Sequence, residues 1–160
     1  MRGGGQELGR RSGTENIVGI AGFGAAAEAA VAELADGVWE KVAERRDFLE
    51  STLAAGSKST IFVGKESERL PNTSCFATPG WKGETQVMQM DLAGFAISAG
   101  SACSSGKVKA SRVLGAMGLN DELATCAVRV SMGVTTTDEE IQRFADAWLA
   151  AHERMRARAA

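Results

Sequence analysis

The chain has 160 residues, of which 44% are hydrophobic and 24% are charged, values that are ordinary for a soluble globular protein. A net charge of −2 and an aromatic content of 6% argue against a nucleic-acid-binding surface and against a surface for anionic membranes. The uninterrupted apolar runs are far shorter than the about 20 residues that cross a bilayer, so no transmembrane segment is predicted.

The first third of the chain is predicted to be helical after a glycine-rich start. Residues 2–16 predict a loop or a tail, and Ser12 and Glu15 have the spacing of a helix-capping box. From Ile17 to Leu53, apolar residues recur every three or four positions, as on one face of a helix. One helix of this length would measure about 60 Å, too long for a compact domain of this size. We therefore predict two consecutive helices with a break near Asp36-Gly37.

The rest of the chain is predicted to alternate short strands and helices. Strands are expected at 61–63, 72–77, 95–97 and 127–132, and helices at 84–92, 110–117 and 121–125. A capping box of Thr137 and Glu140 opens a last amphipathic helix, with an inward face formed by Ile141, Phe144, Trp148 and Leu149. Helices interleaved with three or four short strands indicate an α/β protein, built as an α+β sandwich. Because no repeat or linker divides residues 1–160, a single domain is predicted.

The cysteines give little sign of cross-linking or metal binding. Cys75, Cys103 and Cys126 are odd in number and widely spaced, which is typical neither of a disulfide framework nor of paired zinc ligands. With His152 as the single histidine, no metal site is expected. Free thiols and the lack of an export signal after Met1 predict a cytoplasmic location.

One stretch of small residues carries a thiol in a setting that favours reactivity. Residues 98–107, with the sequence SAGSACSSGK, have neither helical nor strand periodicity and predict a loop. Gly100 and Gly106 give the backbone freedom on both sides of Cys103. A thiol on a loose polar loop is accessible, whereas a structural cysteine is usually buried among large apolar neighbours. The alternative is an ordinary surface loop that contains a cysteine.

Two further stretches contain residues able to bind anions. Arg129 is the single charge in the alternating stretch 127–132, and an inward arginine in a strand pairs with a carboxylate, either structurally or as a clamp on a ligand. Residues 9–14 combine glycine, arginine and Thr14, which could supply backbone amides, positive charge and a hydroxyl to a phosphate. A solvated terminus fits that composition equally well.

Three segments together resemble the cysteine desulfurases, pyridoxal-phosphate (PLP) enzymes of the class V aminotransferase family. They are residues 3–16 (GGGQELGRRSGTEN), residues 98–107 with their continuation at 111–119, and residues 127–133 (AVRVSMG), and they stand in the family's order. SAGSACSSGK is similar to the long-loop branch, whose mobile loop carries the cysteine. Only the C-terminal part of the family is matched. The resemblance therefore implies the small C-terminal domain of a fold-type I PLP-dependent transferase, with long N-terminal helices packed on a short sheet of three to four strands and a C-terminal amphipathic helix.

The resemblance also implies roles for particular residues. Cys103 matches the nucleophile that takes sulfur from L-cysteine as a persulfide and leaves L-alanine. Arg129 matches the arginine that holds the substrate carboxylate, and Thr14 matches a residue that reaches the PLP phosphate of the other subunit of a homodimer. A sulfur-acceptor or scaffold protein, as in iron–sulfur cluster assembly, is the implied partner.

Three elements of the family's cofactor site are not found in this sequence: the Schiff-base lysine, the histidine that stacks on PLP and the aspartate that pairs with its pyridine nitrogen. The family's Schiff-base lysine lies in a Ser-x-His-Lys motif, whereas His152 is followed here by Glu153. We therefore expect PLP to be bound by a PLP-binding half rather than covalently by this chain, and we expect the isolated chain to be inactive. A non-catalytic module that binds a desulfurase or a sulfur acceptor is the alternative, favoured by apolar helix faces that need a cover. A thiol-based persulfide carrier is a third hypothesis, and it requires a lowered pKa at Cys103.

Overall fold

The computed structural model describes residues 4–100 and 110–159 of the chain. Contacts between residues divide the chain into two compact units, Met1–Val38 and Trp39–Ala160. The first unit contains a short 3-10 helix at Gln6–Gly9 and helix α1 at Ile17–Ala35. The second unit contains the sheet and the remaining helices.

Helix α1 begins and ends at identifiable signals. The side chain of Asn16 accepts a hydrogen bond from the Gly19 amide (3.1 Å), so Asn16 is the N-cap and the predicted capping box of Ser12 and Glu15 is wrong. The predicted break near Asp36-Gly37 is confirmed. Gly37 has a φ of 68°, a left-handed conformation that costs a glycine little and stops the helix.

Helix α1 is also apolar and contains no buried residue, and its Phe23 side chain is 78% exposed. By length and composition alone, its 19 residues are enough to cross a membrane. The expectation from the sequence considered only uninterrupted apolar runs, and glycines and two glutamates interrupt those runs without making the whole helix polar. A single helix of this kind near the N-terminus is weak evidence for a membrane span.

The second unit is built on a four-stranded antiparallel sheet with the order β1-β2-β4-β3. Its elements in chain order are α2 (Val38–Gly56), β1 (Ile61–Phe62), β2 (Thr73–Ala77), α3 (Gly83–Leu92), β3 (Ser98–Ala99), α4 (Arg112–Ala116), α5 (Asp121–Thr125), β4 (Ala127–Ser131) and α6 (Asp138–Ala159). The predicted α/β class is confirmed. The third strand was predicted at 95–97 and lies at Ser98–Ala99 instead, so the sheet takes the first two residues of the predicted 98–107 loop.

Alternation along the strands separates two faces of this sheet. Phe76 and Val128, which are paired across β2 and β4, lie on a face that is buried under α2, α3 and α6. Phe76 meets Trp148 of α6 edge to face, with ring centroids 5.5 Å apart. The other face carries Cys75 and Arg129, and it is the face that bears the candidate site.

Buried polar groups fix the helices over the core face. The fully buried Gln86 of α3 donates to the carbonyls of Trp81 (2.9 Å) and Cys126 (3.0 Å), and its Oε1 accepts from Nε1 of Trp148 (3.0 Å). One amide thus ties α3 to α6 and to the start of β4. These bonds offset the burial of the amide, since a buried polar group without a partner costs about 1–3 kcal/mol.

The last helix follows the sequence pattern closely. The Thr137 amide donates to Oε2 of Glu140 (2.9 Å) and the Glu140 amide donates to Oγ1 of Thr137 (3.2 Å), which confirms the predicted capping box. Ile141, Phe144 and Trp148 are buried as predicted, and Leu149 is partly buried.

His152, near the end of α6, is buried in an aromatic and polar setting. Its ring stacks on Trp148 with centroids 5.4 Å apart, and its Nε2 lies 3.4 Å from Oγ of Ser57, which accepts from Thr60 (2.7 Å). Burial lowers the pKa of His152 below its ordinary value of 6.5; the nearby Arg156 lowers it further, and Glu153 opposes the shift.

This lowered pKa predicts a loss of stability in mild acid. Unfolded His152 binds a proton near pH 6.5 and the folded residue binds it only at lower pH, so the stability is fully present above pH 6.5 and falls as the pH drops below it. We expect the urea midpoint to fall between pH 7.5 and pH 5.5, and to fall less in a His152→Gln variant. An NMR titration of the single histidine gives its pKa directly, and an equal pH dependence in both proteins would contradict the assignment.

Candidate functional site

The candidate site centres on Arg129 in the inner strand β4. Val128 and Val130 turn into the core on either side of it, so Arg129 points away from the core and is exposed. The expectation of an inward arginine is therefore wrong. Within the described residues, no carboxylate lies within ion-pair distance of its guanidinium. This position favours the second of the two predicted roles, a clamp on a ligand.

Arg129 has a neighbour on each side in the sheet. The register places Cys75 of β2 and Ser98 of β3 directly opposite it, at distances where side chains on one face touch. Burial raises the pKa of the Cys75 thiol above its ordinary value of 9.0, and the positive charge of Arg129 only partly offsets that effect. Cys75 is therefore a neutral thiol near pH 7, and it does not compete with an anion for the guanidinium.

A cavity of about 780 Å³ opens over this face of the sheet. Thr73, Cys75, Arg129 and Ser131 form its floor. Segment 63–70, which follows β1 and precedes β2, forms one wall of the cavity. Helix α4 contributes apolar side chains such as Val113 to the lining. A small polar molecule that enters this space meets the guanidinium of Arg129 on the floor, surrounded by hydroxyls and a neutral thiol, and the charged residues Glu68 and Arg69 on the wall formed by segment 63–70.

Cys103, the predicted nucleophile, lies outside the described residues. The residues that flank its segment are described, however, and Gly100 and Ser111 both line the cavity. In the sequence, Cys103 follows three residues after Gly100.

Thr14 belongs to the first unit and is exposed. Its carbonyl and that of Gly13 accept hydrogen bonds from Nη1 of Arg11 (3.2 and 2.8 Å), and Nε of Arg11 pairs with Glu7 (2.6 Å). These bonds fold the segment before α1 into a turn. The role predicted for the Thr14 hydroxyl stays a prediction.

A buried ion pair beside the cavity was missed from the sequence. Glu50 of α2 is 2% exposed and accepts from both terminal nitrogens of Arg69 (2.6 and 2.8 Å) and from the hydroxyl of Ser74 (2.7 Å). Burial raises the pKa of Glu50, but the hydrogen bonds from Arg69 and Ser74 and the charges of Arg69 and Arg46 outweigh it, so the pKa lies below the ordinary 4.5. One sequence signal could have indicated this buried carboxylate: Glu50 directly follows Leu49, a residue of the apolar helix face.

Residues 4–144 match the family model described as Aminotransferase class-V. The chain therefore belongs to the class V aminotransferase family. Within it, a cysteine desulfurase from Cereibacter sphaeroides is 42% identical over 144 residues, which cover 90% of this chain and 36% of that protein. The cysteine desulfurase NifS of Azotobacter vinelandii is 40% identical over 143 residues, covering 89% and 35%.

Structural similarity leads to the same group of proteins. The X-ray structure of a NifS-like protein from Rickettsia africae superposes with a TM-score of 0.81 at 30% identity, covering 96% of this chain and 39% of that one. The predicted resemblance to cysteine desulfurases is confirmed, together with its restriction to one part of the family's length. The chain spans little more than a third of the length of these relatives.

The family implies PLP, and the cavity offers a test of where that cofactor could attach. No lysine in the described part of the chain lines the cavity. Of the lysines that the structure describes, Lys82 donates to Thr125 (2.7 Å) and Lys65 lies over the ring of Phe62 (5.8 Å). The described lining therefore does not fit covalent attachment of a pyridoxal aldehyde, whereas the guanidinium of Arg129 fits a carboxylate.

Proposed function

We propose that this chain supplies the small domain of a PLP-dependent cysteine desulfurase. In this function Arg129 holds the carboxylate of L-cysteine and Cys103 receives its sulfur. The observation that carries the proposal is the exposed guanidinium on the floor of a cavity that is bordered by both flanks of the Cys103 segment.

Arg129 is suited to orienting a small amino acid. A guanidinium binds a carboxylate through two parallel hydrogen bonds, which fixes the direction of the ligand as well as its position. The inner strand β4 is paired on both sides, so the arginine stands on a rigid support. With the carboxylate fixed, the thiol end of the substrate is free to lie towards Cys103.

Sulfur transfer then needs a thiolate at Cys103. In balanced form, the sulfur of Cys103 bonds to the sulfur of L-cysteine and the C–S bond of the substrate breaks; the electron pair of that bond stays with the substrate carbon, which takes up a proton, so that L-alanine leaves while Cys103 carries a persulfide. PLP, bound by a part of the enzyme that carries the Schiff-base lysine, would supply the electron sink for this bond cleavage. The persulfide passes to a sulfur-acceptor or scaffold protein, which fits an enzyme of iron–sulfur cluster assembly.

The assembly that we propose is a cytoplasmic homodimer. In it, the Thr14 hydroxyl reaches the PLP phosphate of the other subunit. The apolar side chains of α1 are exposed, among them Ile17, Phe23 and Leu34. Such exposed apolar surface supports the proposal that further protein covers the first unit in the complete enzyme.

The proposal is tested by reconstitution. The chain is mixed with the N-terminal part of a related desulfurase, such as the segment of the Cereibacter sphaeroides relative that precedes its match to this chain. PLP absorbance and L-alanine formation from L-cysteine are then measured. We expect both in the mixture, and no L-alanine from the chain alone; absence of L-alanine from a mixture that binds PLP would contradict the function.

The exposed face of α1 also supports a second function, a non-catalytic module that binds a desulfurase or a sulfur acceptor. Stable binding to an intact desulfurase, with no L-alanine formation in the reconstituted mixture, would favour the module.

A further inference from the structure

The ion pair between Glu50 and Arg69 stands where three parts of the second unit meet. Glu50 comes from the core helix α2, Arg69 from segment 63–70, and Ser74, which also donates to Glu50, from strand β2. Segment 63–70 bounds the Arg129 cavity, and the neighbours of Ser74 in β2, Thr73 and Cys75, form part of its floor. One carboxylate therefore connects a wall of the cavity to its floor.

A gain in folding stability does not by itself explain the buried Glu50–Arg69 pair. Taking a carboxylate and a guanidinium out of water costs several kcal/mol, and a well-packed apolar pair of similar volume is often at least as stable. What a bidentate pair provides is geometry, because it fixes both the distance and the orientation of the two groups. Segment 63–70 has few other ties: the Val63 amide donates to the Cys75 carbonyl (2.8 Å), and Arg46 donates to the Leu70 carbonyl (2.9 Å).

We propose that the Glu50–Arg69 pair is a positioning device for carboxylate binding in the Arg129 cavity. It holds segment 63–70 against β2, so that the cavity keeps the width at which a small carboxylate reaches Arg129. Arg69 and Glu50 are then positioning residues for the substrate. This inference rests on the proposed role of Arg129 in binding a carboxylate.

Cys75 provides a reporter within the cavity. Its thiol lines the space directly opposite Arg129, and its alkylation is read from a tryptic peptide that contains neither Cys103 nor Cys126. The probes are iodoacetate, a two-carbon carboxylate, and the neutral iodoacetamide. The ratio of their rates at Cys75, relative to the same ratio for a small free thiol, measures how well the cavity accepts a carboxylate.

In the unaltered chain we expect a ratio above that of the free thiol, and an Arg129→Gln variant should lower it roughly tenfold by removing the attracting charge. Glu50→Gln and Arg69→Lys should each lower it roughly three- to tenfold, since small displacements of a binding group have large effects. Simple electrostatics predicts the opposite for Glu50→Gln, which removes a negative charge, and no change for Arg69→Lys. Arg45→Ala is the matched control and should leave the ratio unchanged. Arg45 lies in α2 and forms an ion pair with Asp138.

Each other outcome overturns the inference in a recognisable way. If Arg129→Gln lowers the ratio but Glu50→Gln and Arg69→Lys do not, the positioning role is wrong and the proposed function stands. If both reagents simply react faster at Cys75 in these variants, with an unchanged ratio and a lower urea midpoint, the pair is only structural. If Arg129→Gln leaves the ratio unchanged, the carboxylate site and the inference that rests on it both fail.

Discussion

A Cys103→Ala variant, reconstituted with a PLP-binding part, is expected to form L-alanine from L-cysteine at a rate lower by roughly 10³-fold or more. The reason is chemical: without a thiol at this position no atom accepts the substrate sulfur. Mass spectrometry should show one added sulfur at Cys103 of the unaltered chain after exposure to L-cysteine, and none in the variant.

The control for this experiment is Cys126→Ala. Cys126 is buried between α5 and β4 and is not part of the cavity lining, so its removal should leave L-alanine formation close to normal. Full activity in Cys103→Ala would refute the role of Cys103. Loss of activity in both variants alike would show that the assay reports folding rather than sulfur transfer.

An Arg129→Gln variant of the same reconstituted enzyme is expected to lose about 100-fold in kcat/KM for L-cysteine, mainly through a higher KM. The size follows from the charge-assisted hydrogen bonds to the carboxylate, which contribute about 1.5–3 kcal/mol. Arg129→Lys should recover only part of the loss, because an ammonium keeps the charge but lacks the two-pronged geometry of a guanidinium.

Arg143→Gln serves as the matched control. Arg143 is an exposed arginine of α6 whose guanidinium lies over the ring of Phe95, outside the cavity lining. Its replacement should leave KM unchanged. An Arg129→Gln variant with a normal KM and a reduced kcat would contradict substrate binding by Arg129 and place its effect in a later step.

Those parts of the fold that depend on local signals could be predicted from the sequence. The helix break at Asp36-Gly37 follows from a residue that adopts a left-handed backbone, and the start of α6 follows from reciprocal bonds between Thr137 and Glu140. The match to the family's segments gave the correct class of protein because it used the order of three motifs rather than one.

Other errors came from features that tertiary contacts decide. Phe95 and Ile97 look like strand residues, but the Phe95 amide donates to the Met90 carbonyl (2.8 Å) and closes α3, and both side chains pack on the core before sheet pairing starts at Ser98. Arg129 was expected to point inward, although its valine neighbours were the better candidates for the core face.

The ion pair of Glu50 and Arg69 could not be predicted for a different reason. The two residues are 19 positions apart, on a helix and in an irregular segment, and no periodicity relates them. Only the fold brings their charges together. The same holds for Cys75, whose place opposite Arg129 depends on strand register.

The stack of indole and imidazole rings at the end of the core has an optical consequence. Trp148 lies almost parallel to His152, at 12° between the ring planes, and Trp81 lies against both. A protonated imidazole quenches the emission of an adjacent indole. We therefore expect the emission of Trp81 and Trp148 to report the charge on this one histidine, without any label and in the same sample as a binding or unfolding measurement.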